Sequence, residues 1–150
     1  MDGNAPNHVG HDAPCVMVID DQPAMRAIIG RLLHQQGLGN VIEAENGLHA
    51  IRLLGGGKVA KPDVIICDLY MDEMDGMEFV EQLRRHRNQT PVLILTAEKN
   101  AAMHDLALQA GANKVLTKPI SAASLGNEVT VALAEHAVAT EVARSAGAAG

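Results

Sequence analysis

Five short apolar runs, each followed by a stretch with helical spacing, constrain this chain more than any other feature of it. The runs are Cys15–Ile19, Val41–Ile42, Val64–Cys67, Val92–Leu95 and Val115–Leu116. Near-continuous apolar runs rich in β-branched residues suit strands covered on both faces, as in a parallel sheet. Between them, Met25, Ile28, Ile29, Leu32 and Leu33 recur at i, i+3, i+4, i+7 and i+8, which predicts a helix over about 23–36 that Gly37 and Gly39 end. A second helix, over about 46–54, uses Leu48, Ile51 and Leu54 and should stop at Gly55–Gly57. A third, over about 76–87, uses Phe79, Val80 and Leu83; Met103, Leu106, Ala107 and Ala110 mark a fourth, closed by Gly111. The fifth begins near Ser121, a capping hydroxyl, and buries Leu125, Val129, Ala132 and Leu133. Five β-α units in alternation specify an α/β fold: a doubly wound five-stranded parallel sheet with right-handed crossovers and five helices on both faces.

At 150 residues the chain fits one domain, expected over 14–143, between flexible tails at 1–13 and 144–150, with no linker toward an effector domain. The first residues carry no apolar export signal and no run reaches the ~18 apolar residues that span a bilayer, so a cytoplasmic protein without membrane attachment is expected. Tyr70 and Phe79 are the only aromatic residues and there is no Trp, which argues against stacking platforms for single-stranded nucleic acid. The formal charge of −6 and the lack of a basic recognition helix argue against direct DNA binding. Cys15 and Cys67 read as buried thiols: if Asp20 and Asp68 end adjacent strands, the two sulfurs are offset by four residues, roughly 13 Å at ~3.3 Å per residue, beyond disulfide reach. The seven histidines show no zinc spacing and read as surface residues.

In open α/β sheets ligands bind beyond the carboxyl ends of the strands. Asp20 and Asp21 follow the first run, Asp68 the third, Thr96 and Ala97 the fourth, and Lys118-Pro119 the fifth. Crowded carboxylates repel unless a cation sits among them. Mg²⁺ prefers oxygen ligands and is held by one or two carboxylates with waters and phosphate oxygens. With Lys118 as a second positive charge and Thr96 as a hydrogen-bond donor, in-line phosphoryl transfer onto a carboxylate becomes chemically accessible, Asp68 being the central acceptor. Taken singly these residues have plainer roles: Asp20 and Asp21 or Thr96 as helix caps, Lys118 as a solvated loop lysine. Gly55-Gly-Gly-Lys58 is not a phosphate loop, because it follows a helix and Val59 replaces the Ser or Thr that such a loop requires.

At these positions the chain resembles the receiver domain of two-component response regulators, in particular the stand-alone, single-domain type. The matching pieces are Val18-Ile-Asp-Asp21, Asp68-Leu-Tyr-Met-Asp-Glu-Met-Asp-Gly76, Leu93-Ile-Leu-Thr-Ala97, Gly111-Ala112 and Leu116-Thr-Lys-Pro119, which together span about 15–135. The resemblance implies a flavodoxin-like sheet of order 2-1-3-4-5, Asp68 as phosphoacceptor, Asp21 and Asp68 as direct Mg²⁺ ligands, Asp20 acting mostly through water, and the Tyr70 carbonyl completing the set. It further implies that Thr96 bonds the phosphoryl group, that Lys118 pairs with it, and that the Lys118-Pro119 peptide is cis. The implied partners are a sensor histidine kinase or phosphotransfer protein and an unknown output protein, the chain itself being a monomer or weak dimer.

Two departures stand out. Val115 occupies the position three before the lysine where the family usually has Tyr or Phe, so no ring there can report the state of Thr96; Leu93 or Leu95 is a candidate to fill the space beside it. Asp72 stands where Pro is frequent, and Tyr70, two after the acceptor, is expected to act with Glu98, two after Thr96, in setting phosphoryl lifetime. The competing readings are an aspartate-nucleophile phosphatase, which would want an acidic residue where Tyr70 stands, and a binding module locked in one state.

Overall fold

A computed structural model describes residues 13–149; the expected N-terminal tail lies, but for residue 13, outside them. The elements are β1 (Val16–Ile19), α1 (Pro23–Gln35), β2 (Val41–Ala44), α2 (Gly47–Gly56), β3 (Val64–Cys67), α3 (Gly76–Arg85), β4 (Val92–Thr96), α4 (Ala101–Ala110), β5 (Lys114–Thr117) and α5 (Ala122–Ala149). All strand pairings are parallel, in the order β2-β1-β3-β4-β5. This is the doubly wound, flavodoxin-like sheet expected.

Side chains alternate across a strand, so each apolar run feeds two cores. Met17, Ile19, Ile65, Cys67, Val92 and Ile94 face Ala50 of α2, Phe79 and Leu83 of α3 and Ala107 of α4. Val16, Val18, Val64, Ile66, Leu93 and Leu95 face Ile29 and Leu33 of α1 and Leu125 and Val129 of α5. This parity corrects the expectation at Val115. Its side chain packs against the first core, as Met103 does, whereas Leu93 and Leu95 point through the other face and cannot fill space next to it.

Local chemistry sets the helix ends. Asp75 and Asn100 cap α3 and α4 by accepting from the Glu78 and Met103 amides, at 2.9 and 3.1 Å. The Ser121 hydroxyl accepts from Ser124 N–H at 3.1 Å, as expected for the start of α5. Elsewhere the ends differ from expectation. Helix α2 runs on through Gly55 and Gly56, and Gly57 ends it in the left-handed region at φ 70°. Helix α5 continues through residues expected as a frayed tail, because the Ala-rich segment after Glu135 has high intrinsic helicity and contains only one late glycine, Gly147. Cys15 and Cys67 are buried free thiols.

Candidate functional site

The carboxyl ends of β1, β3, β4 and β5 gather four of the expected residues. Parallel register places Ile19 beside Cys67 and Cys67 beside Ile94, so Asp20 and Asp68 leave adjacent strands at one level. Lys118, carried in by β5 and tied to β4 through its amide bond to the Thr96 carbonyl at 2.8 Å, lays its ammonium between them. Its Nζ donates to Asp68 Oδ2 at 2.9 Å and to Asp20 Oδ2 at 3.2 Å. The Lys118-Pro119 peptide is cis.

Asp20 is buried, with 1% of its surface exposed. Its Oδ1 accepts the Gln22 amide at 2.9 Å, while Arg26, a residue the sequence reading did not single out, donates to the Asp20 carbonyl at 2.6 Å and to Glu43 at 2.9 Å. Burial pushes the Asp20 carboxyl above the usual range, against the opposing pull of the Gln22 amide and Lys118; Asp68 pushes the same way as burial. For Lys118, burial pulls the ammonium down, but its bonds to and attraction for Asp68 and Asp20 outweigh that and raise it. The site thus holds more negative charge than one lysine neutralises.

Asp21 is half-buried beside them and is ion-paired to none of the described cations. The carboxylates of Asp20, Asp21 and Asp68 with the Tyr70 carbonyl make an all-oxygen donor set. Among the described residues no three acidic, histidine or cysteine side chains are already drawn around one point. That arrangement still fits Mg²⁺, which is satisfied by one or two carboxylates and keeps several waters; the burial of Asp20, which Lys118 and the Gln22 amide offset only in part, favours an added cation.

Thr96 is buried at 1% exposure, and its hydroxyl accepts the Glu98 amide at 3.2 Å. Tyr70 is half-exposed over the acceptor loop, its amide 3.4 Å from Asp68 Oδ1 and its hydroxyl donating to Glu98 Oε1 at 2.6 Å. That bond raises the Tyr70 phenol and lowers the Glu98 carboxyl. Glu98 is also tied to α4: its Oε2 accepts the Asn100 amide at 3.1 Å and its carbonyl lies 2.6 Å from His104 Nε2. His104, expected as a surface residue, is therefore half-buried and bonded; no spacing rule marks it, because its partner is a loop carbonyl six residues back.

Gly76, the first residue of α3 at the end of the acceptor loop, donates its amide to the Leu69 carbonyl at 2.9 Å. A Cβ here would collide with the Asp68 carbonyl and meet Leu69 Cα at 3.0 Å. Only glycine lets α3 start this close to the acceptor.

A family model described as the response regulator receiver domain matches residues 16–130. Among curated proteins, the chain is 34% identical over 133 residues to the transcriptional regulatory protein GlrR of Escherichia coli (strain K12), covering 89% of this chain and 29% of that protein. It is also 34% identical over 105 residues to the Regulator of RpoS of the same organism, covering 70% of this chain and 30% of that one. The chain thus spans under a third of the length of these relatives. Among solved structures, the response regulator receiver domain protein from Clostridium thermocellum superposes with a TM-score of 0.75 at 26% identity, covering 83% of this chain and 98% of that one. The Vibrio cholerae chemotaxis protein CheY4 does so with a TM-score of 0.72 at 29% identity, covering 80% and 98%.

Proposed function

This chain belongs to the response regulator receiver domain family of two-component systems, and from that premise we propose that it is a switch phosphorylated on Asp68 by a histidine kinase or a phosphotransfer protein. The observation that carries the reading is the placement of Lys118 Nζ between Asp68 and the buried Asp20. In the step proposed, an Asp68 carboxylate oxygen attacks the phosphorus of a phosphohistidine. The P–O bond forms as the P–N bond breaks, and the imidazole nitrogen leaves with the electron pair. Lys118 stabilises charge on the phosphoryl oxygens, and Thr96 exchanges its Glu98 amide contact for a bond to one of them. Asp20, Asp21, Asp68 and the Tyr70 carbonyl would hold Mg²⁺, which when bound offsets carboxylate repulsion and the charge of the transferring group.

Readout follows from Val115. No ring is present to follow Thr96, so the path proposed runs through main chain and Glu98: a shift of the Thr96 hydroxyl pulls on the Glu98 amide, and Glu98 bonds Tyr70, Asn100 and His104. Output passes to a partner protein, with this domain making no direct DNA contact. The chain is proposed to act in the cytoplasm as a monomer or weak dimer; no helix of the described residues is long and apolar enough to cross a membrane.

Incubation with acetyl phosphate and Mg²⁺ tests the reading by mass spectrometry. A gain of one phosphoryl group that Asp68→Asn abolishes supports it. Catalytic turnover of phosphate esters would point to the phosphatase instead, and absence of any modification to the locked module.

A further inference from the structure

At the opposite end of the sheet, where β3 and β4 begin, a cleft of about 530 Å³ opens between the α2–β3 loop, the α3–β4 loop and α5. Five of the chain's 12 Lys and Arg residues fall in the two short segments that meet there: Lys58, Lys61, Arg84, Arg85 and Arg87. Lys61, Arg87 and His136 line the cleft, and none of the three has a carboxylate within ion-pair distance among the described residues. Asp63 is the one acid in the wall, and its Oδ2 already accepts the Cys15 amide at 2.8 Å. Behind the loop, half-buried Arg84 spends its donors on neutral oxygens: the carbonyls of Gly111, Asn88 and Thr90 at 3.1, 2.9 and 2.8 Å and Asn113 Oδ1 at 2.8 Å. None of the described carboxylates lies within ion-pair distance of it, so its charge adds to the field of the cleft.

Arg87 sits at φ 60°. Its amide bonds the Arg84 carbonyl at 2.9 Å and the Asn88 amide bonds the Leu83 carbonyl at 3.1 Å, a Schellman ending in which glycine is the usual occupant. An arginine there costs about 1 kcal/mol of backbone strain and in exchange keeps a guanidinium at the cleft mouth.

We propose that this cleft is a second ligand site, for a small molecule with two or more phosphate groups on an apolar body, of the nucleoside di- or triphosphate class. Its size lies within the range of small-molecule sites. Lys61 and Arg87, with Arg84 behind them, outnumber the single carboxylate of Asp63 and suit adjacent phosphates, the His136 ring offers a further hydrogen-bonding group, and Leu133, Pro62 and Ala137 supply an apolar wall. It lies roughly 16 Å from Asp68 along β3, five residues at ~3.3 Å each, and is independent of phosphorylation there.

Calorimetry and thermal melts with ATP and GTP in EDTA test this, the chelator leaving the acidic cluster around Asp68 repulsive to anions. Saturable binding is expected, weakened about tenfold or more by Lys61→Ala and by Arg87→Gly. Because glycine suits the left-handed position, Arg87→Gly should itself melt higher, which separates lost binding from lost folding. No saturable binding at millimolar nucleotide, undiminished binding in both variants, or equally tight binding of inorganic phosphate or a polyglutamate peptide would each overturn the proposal.

Discussion

The Tyr70 hydroxyl donates to Glu98 Oε1 at 2.6 Å, closing a bridge between the loop after β3, which carries Asp68, and the loop after β4, which carries Thr96. Tyr70 is the chain's only tyrosine and there is no tryptophan, so the bridge has its own spectroscopic signal.

Spectrophotometric titration of the phenol should therefore give a single transition above the ordinary value of about 10, the bond to Glu98 being the main cause of the rise. Glu98→Ala should bring the transition down toward that value. In the phosphorylated protein, Tyr70→Asn and Glu98→Ala should both shorten the lifetime of the aspartyl phosphate several-fold by admitting water; unchanged lifetimes in both would sink the assigned role of this pair.

Asp20 predicts a pH dependence. Its carboxyl is raised above the unfolded value of about 3.9, so the fold takes up a proton there more readily than the unfolded chain. Its favourable contribution is present below that pH and is lost as pH rises through the folded value. Asp20→Asn, which leaves Lys118 its pairing with Asp68, should accordingly stabilise the cation-free protein near neutrality, with the gain shrinking toward pH 4. Urea melts at both pH values in EDTA measure this.

Magnesium should reverse the ranking. Wild type gains about 2.7 kcal/mol at a Mg²⁺ concentration a hundred times the dissociation constant, and Asp20→Asn and Asp21→Asn should lose most of it. Melts with and without EDTA read the difference; equal gains in all three proteins would remove these carboxylates from the metal site.

Gly76→Ala should cost at least about 2 kcal/mol, because the new methyl meets backbone at Asp68 and Leu69 rather than a flexible side chain. Denaturation midpoints check the cost, and slowed phosphorylation of whatever remains folded would show that the acceptor loop has been displaced.

Arg84→Lys should be nearly as damaging as Arg84→Leu, each costing about 2 to 3 kcal/mol. Four acceptors on two loops, α3–β4 and α4–β5, need the planar five-donor fork that an ammonium lacks. Full stability in the lysine variant would show that charge alone suffices.

The sheet, its strands and the convergence of Asp20, Asp68, Thr96 and Lys118 were legible because each depends on short-range pattern plus the rule that parallel strands end together. Arg84 and Arg26 were not legible: most of their acceptors are backbone carbonyls, which no side-chain spacing reveals, and their side-chain partners, Asn113 and Glu43, are 29 and 17 residues away. The facing of Val115 needed the register of β4 against β5, where Ile94 pairs with Val115. The length of α5 was missed because an alanine-rich end looks the same in composition whether frayed or helical.

The two cores lie on opposite faces of the sheet, Val115 on the side of α4 and Leu93 and Leu95 on the side of α1 and α5. Heritable variation can therefore accumulate separately on each side. A lineage can repack the layer around Val115 while the layer beneath α1 stays as it was. The beta-sheet acts as a firebreak between the two histories.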